Sequence, residues 1–258
     1  MIGAIIGDII GSAYESSAKR TKKTDFIFFD EGSRFTDDTV LTVATIKVLL
    51  NDKNEYANCY KELSLKYPDA GYGSRFIEWM NSKDLTAYSS YGNGSAMRVS
   101  PIGFFFDDIE ETIEEARKSA EVTHNHEEGI KGAEAVASSV FMARKGFSKK
   151  DIRKFIQERF GYNLEKTINE IRPSYVFDVS CQGSVPEAII SFLDSKNYED
   201  SIRLAVSLGG DSDTIACITG GISEAFYKNI SRDMISKAWT FLPKDFKNII
   251  TDFYKKHG

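Results

Sequence analysis

The chain has 258 residues, a formal net charge of −5, 41% hydrophobic residues and 28% charged residues. That length suits one large domain or two small ones, and the balance is ordinary for a globular protein. The negative charge argues against a basic nucleic-acid surface, and Cys59, Cys181 and Cys217 form no CxxC pair, so they read as reduced core residues of a cytosolic protein.

The first run, MIGAIIGDIIGSA, is apolar but has no basic start, and Asp8 interrupts it. It is well short of the roughly 20 residues that a membrane span needs. Gly3, Gly7 and Gly11 recur every four residues, so a helix puts them on one face, where another backbone can come close. The isoleucines around them predict a central, buried helix. Asp8 and Glu15 fall near one face of it. Capping or solvation explains Glu15, near the end of the run, better than Asp8 in its middle. Residues 16–34 are polar and irregular around an aromatic patch, which predicts a loop with one short extended segment.

Thr36-Asp37-Asp38-Thr39 then opens an apolar run from Val40 to Leu50 with helical spacing. Another helix is expected over 54–66, stopped at Tyr67-Pro68-Asp69. Gly71-Tyr72-Gly73 precedes an amphipathic helix. Glycines there can present bare backbone N–H groups to an anion, but the pattern lacks the third glycine and the lysine of a nucleotide fingerprint, and a plain turn is the simpler explanation. Residues 88–98, YSSYGNGSAMR, offer hydroxyls, an amide and accessible backbone before a stop at Pro101, the composition of a positioned binding loop.

Helices are expected over 109–122 and from Ile130 to Met142, with Thr123-His124-Asn125-His126 between them. Residues i and i+2 of a helix point apart and no cysteine is near, so zinc is a poor fit. His124 is expected to contact a ligand or cap the helix, and His126 to pack or be solvated. A helix and a polar connection fill 149–170, closed by Pro173. A short extended piece is expected at 174–182, a helix over 184–195 with Pro186 near its first turn, and helices near 231–241 and 244–256.

Residues 205–217, AVSLGGDSDTIAC, repeat the chemistry of 36–39: Asp211 and Asp213 follow a diglycine and precede Thr214 and an apolar run to Phe226. Carboxylates packed this way are costly unless neutralised, and a divalent cation with help from a helix N-terminus is the simplest neutraliser. An Asp N-cap beside a solvated Asp would explain one such stretch; two of them suggest one shared site. Helical periodicity dominates throughout, which predicts an all-α single domain over 1–258.

Taken together, Gly7-Asp8-x-x-Gly11-x-x-x-Glu15, Phe35-Thr36-Asp37-Asp38-Thr39, Gly71-Tyr72-Gly73, Gly92-Asn93-Gly94-x-Ala96-Met97-Arg98, Thr123-His124 and Leu208-Gly209-Gly210-Asp211-x-Asp213-Thr214 resemble the ADP-ribosylglycohydrolase family. The resemblance implies an orthogonal helical bundle with a two-metal cleft, and two divalent cations, Mg2+ or Mn2+, held by Thr36, Asp37, Asp38, Asp211, Asp213 and Thr214. All-oxygen donors agree with hard cations. It also implies a pyrophosphate at Gly71, Tyr72 and Gly73, and an ADP-ribose site lined by Ser90, Tyr91, Gly92, Asn93 and His124. Residues 16–34 and 143–180 match no motif of the family.

The implied reaction is hydrolysis of the bond between the anomeric ribose carbon and a protein side chain, with Glu15 as first and Asp38 as second candidate for the catalytic carboxylate. The substrate is then an ADP-ribosylated protein or another ADP-ribose conjugate, with no nucleic-acid or membrane partner, and the chain is expected to act as a cytoplasmic monomer. Arginine-linked ADP-ribose is expected to be cleaved better than serine-linked, partly because Glu15, Asp30 and Glu31 suggest an acidic mouth for a guanidinium. A metal-dependent nucleotide phosphohydrolase and a non-catalytic ADP-ribose-binding or structural relative stand as alternatives. The first would want a His-Asp pair or an ExxE helix, and the second should have lost acidic ligands.

Overall fold

The computed structural model describes residues 1–51 and 55–257. Among them there is no strand, and the helices follow in the order α1 (Ile2–Ser12), α2 (Asp37–Asn51), α3 (Tyr56–Lys66), α4 (Ser74–Asn81), α5 (Gly94–Met97), α6 (Ser100–Phe105), α7 (Ile109–Glu121) and α8 (Glu127–Arg144). The second half contributes α9 (Lys149–Phe160), α10 (Ile168–Ile171), α11 (Cys181–Asp194), α12 (Tyr198–Val206), α13 (Ser212–Tyr227), α14 (Arg232–Phe241) and α15 (Lys244–His257). No helix of the described residues is long and apolar enough to cross a membrane.

Every residue of α1 is buried. It lies antiparallel against α13, with Gly3 facing Gly220, Gly7 facing Ala216 and Gly11 facing Ser212. A Cβ on Gly7 would fall inside the Ala216 carbonyl, and one on Gly3 would lie 2.5 Å from the Gly220 oxygen. The glycine period thus does what it predicts: it lets two backbones touch at the centre of the bundle. Around this pair, α2 carries α3, α6 and α15, and α8 packs against α6, α7, α11 and α13.

Several boundaries differ from the sequence reading, each for a local reason. The loop over 16–34 has turns but no extended segment. The extended piece at 174–182 reduces to one isolated antiparallel bridge, Gly92 to Ser180, and α11 begins at Cys181. Pro186 is therefore the sixth residue of α11 rather than in its first turn; the carbonyl it leaves free, four residues back, belongs to exposed Gln182. Pro101 does not stop a helix. It sits in the first turn of α6, where a missing N–H costs nothing. Residue 54, at the edge of the helix expected over 54–66, lies outside the described residues.

Candidate metal centre and cleft

The starts of α2 and α13 meet at the middle of α1. Asp8, in that middle and fully buried, accepts from the Thr36 N–H at 2.9 Å, the Thr36 hydroxyl at 2.6 Å, the Thr39 N–H at 3.2 Å and the Thr39 hydroxyl. It caps α2 from another helix, which is why a carboxylate survives in an apolar run. Those four donors occupy most of its acceptor capacity. Asp8 therefore acts chiefly by fixing the turn that aims Asp37 and Asp38.

Asp211 and Asp213 arrive from the other side. The turn before them needs Gly209, whose φ is +63°, and the Lys22 ammonium pins it by donating to the Leu208 carbonyl at 2.5 Å and the Tyr175 carbonyl at 2.6 Å. Two groups of carboxylates result. Asp8, Asp38 and Asp213 offer oxygens within 4.8 Å of one another, and so do Glu15, Asp211 and Asp213. Asp213 belongs to both.

Like charges at this spacing raise one another's proton affinity. Burial first, and then the Asp8 charge, push Asp37 up to about 8. Burial pushes Asp8 up to about 6 against the pull of its threonine hydrogen bonds. Asp38 is held well above the usual carboxyl range by burial, Asp8 and Asp37, and Asp213 by burial, Asp211 and Asp38. The Asp38 Oδ1 is buried with no hydrogen-bond partner. An orphaned carboxylate oxygen among crowded carboxylates and two threonine hydroxyls fits a hard divalent cation.

A consequence for the metal-free protein follows. Each of these carboxyls has its folded-state pKa raised above the unfolded value of about 4, so the folded chain holds protons that the unfolded chain has released. Stability is present at the acid end and is lost as pH rises toward about 8, the Asp37 value. The melting temperature of chelated protein is expected to fall between pH 5 and pH 8, and saturating Mg2+ should flatten the slope. A rise over that window would contradict the crowding of these groups.

Glu15, Asp37, Asp38, Asp211 and Asp213 form the floor of a cleft of about 340 Å³, with Asp8 buried beneath it. One wall is the 70–75 turn, tied to α2 by Asp37 N–H donating to the Ala70 carbonyl at 2.9 Å. The other is the 88–94 loop, tied to the floor by the Asn93 amide donating to Asp211 Oδ2 at 2.7 Å. His124 closes the wall behind that loop. Burial, and then Arg98 and Arg75, hold its imidazole well below the ordinary range, so it is neutral.

The cleft brings together Glu15, Thr36, Asp37, Asp38, Gly71, Gly73, Ser90, Gly92, Asn93, His124, Asp211, Asp213 and Thr214. Two residues singled out in the sequence stand apart from its lining. Tyr72 turns inward and stacks on Phe76, and Tyr91 is exposed, edge-on to His126. His126, expected to pack or be solvated, is the N-cap of α8, its Nδ1 accepting from the Glu128 N–H at 3.1 Å. Arg34, Arg75, Phe177 and Val179 line the cleft from stretches where no motif pointed to them, and Tyr88, at the start of the 88–98 loop, joins them. The mouth is also less acidic than expected, because Asp30 pairs with Lys19 at 3.4 Å while Arg34 and Arg75 face the cleft.

A family model described as ADP-ribosylglycohydrolase matches residues 1–255. The chain belongs to the ADP-ribosylglycohydrolase family. Among its relatives, the ADP-ribosylhydrolase ARH3 of Homo sapiens is 27% identical, over 93% of this chain and 86% of its own length. The ARH3 of Mus musculus is 26% identical, over 93% and 85%. The ADP-ribosylarginine hydrolase Tri1 of Pseudomonas putida is 25% identical, over 88% and 69%. A solved ADP-ribosylglycohydrolase-related protein complex superposes with a TM-score of 0.74 at 21% identity, covering 100% of this chain and 96% of that one, which establishes the shared all-α fold.

Proposed function

We propose that this ADP-ribosylglycohydrolase-family chain releases ADP-ribose from a modified protein side chain, using two divalent cations, Mg2+ or Mn2+. The observation that carries the reading is Asp213, shared by two carboxylate groups at the floor of a cleft walled by two glycine-bearing loops. Asp37, Asp38 and Thr36 would hold cations from the α2 side, and Asp211, Asp213 and Thr214 from the α13 side. Bound there, the cations supply electrostatic grip on ribose hydroxyls and a lowered pKa for water.

The chain's own groups do the rest. Glu15, half-buried beside Asp211, has its carboxyl raised by burial and by the Asp211 charge, which suits a group that takes a proton from water or steadies the leaving group. Asp38 is the second candidate, deeper and more crowded. Gly73 and the N-terminus of α4 face the cleft with Arg75 beside them, a suitable seat for a pyrophosphate. A Cβ on Gly73 would meet nothing within 4 Å, so its freedom serves a ligand rather than the fold. Gly73→Val is expected to keep the melting temperature within a degree or two while weakening ADP-ribose at least about tenfold, the effect of a lost backbone approach. Equal ADP-ribose affinity in a calorimetric titration would return this turn to an ordinary role.

Arginine is the proposed acceptor, because Glu15 is the carboxylate that a departing guanidinium would meet. Serine is the second reading, favoured by Arg34 and Arg75 on the lining, which repel a cation. Matched peptides carrying ADP-ribose on arginine or on serine, assayed for ADP-ribose release with and without Mg2+, separate the readings. Release that ignores chelation would end the metal proposal, and faster release from the serine peptide would end the arginine preference.

A further inference from the structure

Arg98 is the largest fully buried side chain among the described residues and takes part in no ion pair there. It lies over the Tyr60 ring, 4.3 Å from guanidinium to centroid. Its Nε and Nη1 have no hydrogen-bond partner. A permanent charge kept in the core without a carboxylate is costly. Its placement relative to the cleft gives the reason to keep it.

The Arg98 Nη2 donates to the Ser119 carbonyl at 2.6 Å and to the Thr123 hydroxyl oxygen at 2.9 Å. That same hydroxyl lies 2.7 Å from His124 Nδ1. Guanidinium nitrogens only donate, so Thr123 Oγ1 is an acceptor toward Arg98. Its single proton then has one partner within reach, His124 Nδ1. Were Nδ1 protonated instead, the hydroxyl would accept twice and its own hydrogen would be stranded in a fully buried residue. By elimination, Nδ1 is the acceptor, and a neutral ring carries its proton on Nε2.

Nε2 is the nitrogen on the cleft side. It lies 3.2 Å from where a Cβ of Gly94 would stand and 3.6 Å from that of Gly92. We propose that Arg98 is a positioning residue which, through Thr123, fixes His124 as the Nε2–H tautomer and so as a permanent hydrogen-bond donor to a ligand oxygen in the cleft. The oxygen acceptor rests on the ADP-ribose reading; the tautomer does not. The ring spends no time as the wrong tautomer, and the glycines at 92 and 94 leave the donor uncovered.

The test is 15N spectroscopy of the imidazoles in full-length protein labelled on histidine, with His124 assigned by its loss in His124→Gln. Native protein should show Nε2 protonated and Nδ1 bare. Thr123→Val, which keeps the shape and removes the hydroxyl, should shift His124 toward a mixture of tautomers and weaken ADP-ribose about tenfold by titration. Thr123→Ser should restore both readouts. Arg98→Met should mimic Thr123→Val where it folds; the threonine pair decides the matter if it does not. A native His124 protonated on Nδ1, or a Thr123→Val protein with unchanged tautomer and affinity, overturns the proposal. If native protein binds no ADP-ribose, the functional reading fails, while the nitrogen signals still decide the tautomer.

Discussion

Asp213→Asn should lower ADP-ribose release by at least about a hundredfold, the scale of removing one preorganised charge from a transition state. It should also do something that a simple ligand loss would not. Asp213 is pressed by Asp211, Asp38 and Glu15 in the absence of metal. Removing its charge relieves that repulsion, so the chelated variant is expected to melt higher than chelated native protein. The stabilisation expected on adding Mg2+ should shrink in the same variant, because both carboxylate groups lose their shared member. Glu15→Gln, which touches only one group, should lose activity yet keep most of the Mg2+-induced shift. Scanning fluorimetry with and without chelator reads all of this. An undiminished Mg2+ shift in Asp213→Asn would remove Asp213 from the metal site.

Gly7→Ala is expected to cost about 1–3 kcal/mol or more, and Gly7→Leu to yield no folded protein. The added carbon would meet the Ala216 carbonyl and the Cys217 nitrogen, which belong to the α13 backbone and cannot rotate aside. Relief would require the two helices to separate, which would carry Asp8 away from Asp213. Metal affinity should therefore fall in step with stability. Gly73→Ala is the matched control, since it has ordinary φ and open space. Urea unfolding of both variants gives the comparison. A Gly7→Ala protein within about 0.5 kcal/mol of native, the usual range for surface changes, would mean that the close approach is not structural.

The sequence made the helices and the acidic floor legible for definable reasons. Period-3.6 apolar runs are long here, so α1, α2, α8 and α13 stood out. The paired Asp/Thr stretches stood out because two costly features needed one explanation. Asp8 stands out as a carboxylate in an apolar run, but its function is hidden: nothing local tells that a carboxylate in one helix caps another 28 residues on. Arg34, Phe177 and Val179 are hidden for a related reason, since irregular segments have no period to place them, and Arg75, in the first turn of α4, carries no local sign that it faces the cleft. Tyr72 and Tyr91 show the converse. Each sits in a glycine-bearing motif, yet a motif fixes the backbone path, not the direction of every side chain on it. Pro101 reads as a stop because proline marks helix ends, and the residue alone does not say which end.

The contact between α1 and α13 also dictates when the site can exist. Gly7 and Ala216 are about 200 positions apart in the chain, so their meeting is among the most remote contacts the fold makes. Loop closure of that length is tolerable in free energy, rising by only about 0.6 kcal/mol per doubling, and it is expected late in assembly. Local helical pairs such as α2 with α3 or α7 with α8 can dock earlier, and none of them unites the carboxylates. A chain in which α13 has not yet docked on α1 keeps Asp211 and Asp213 apart from Asp8 and Asp38. Crowding is completed only when α13 docks on α1, so a cation held by both carboxylate groups, as proposed, would favour the finished fold over every partly assembled one.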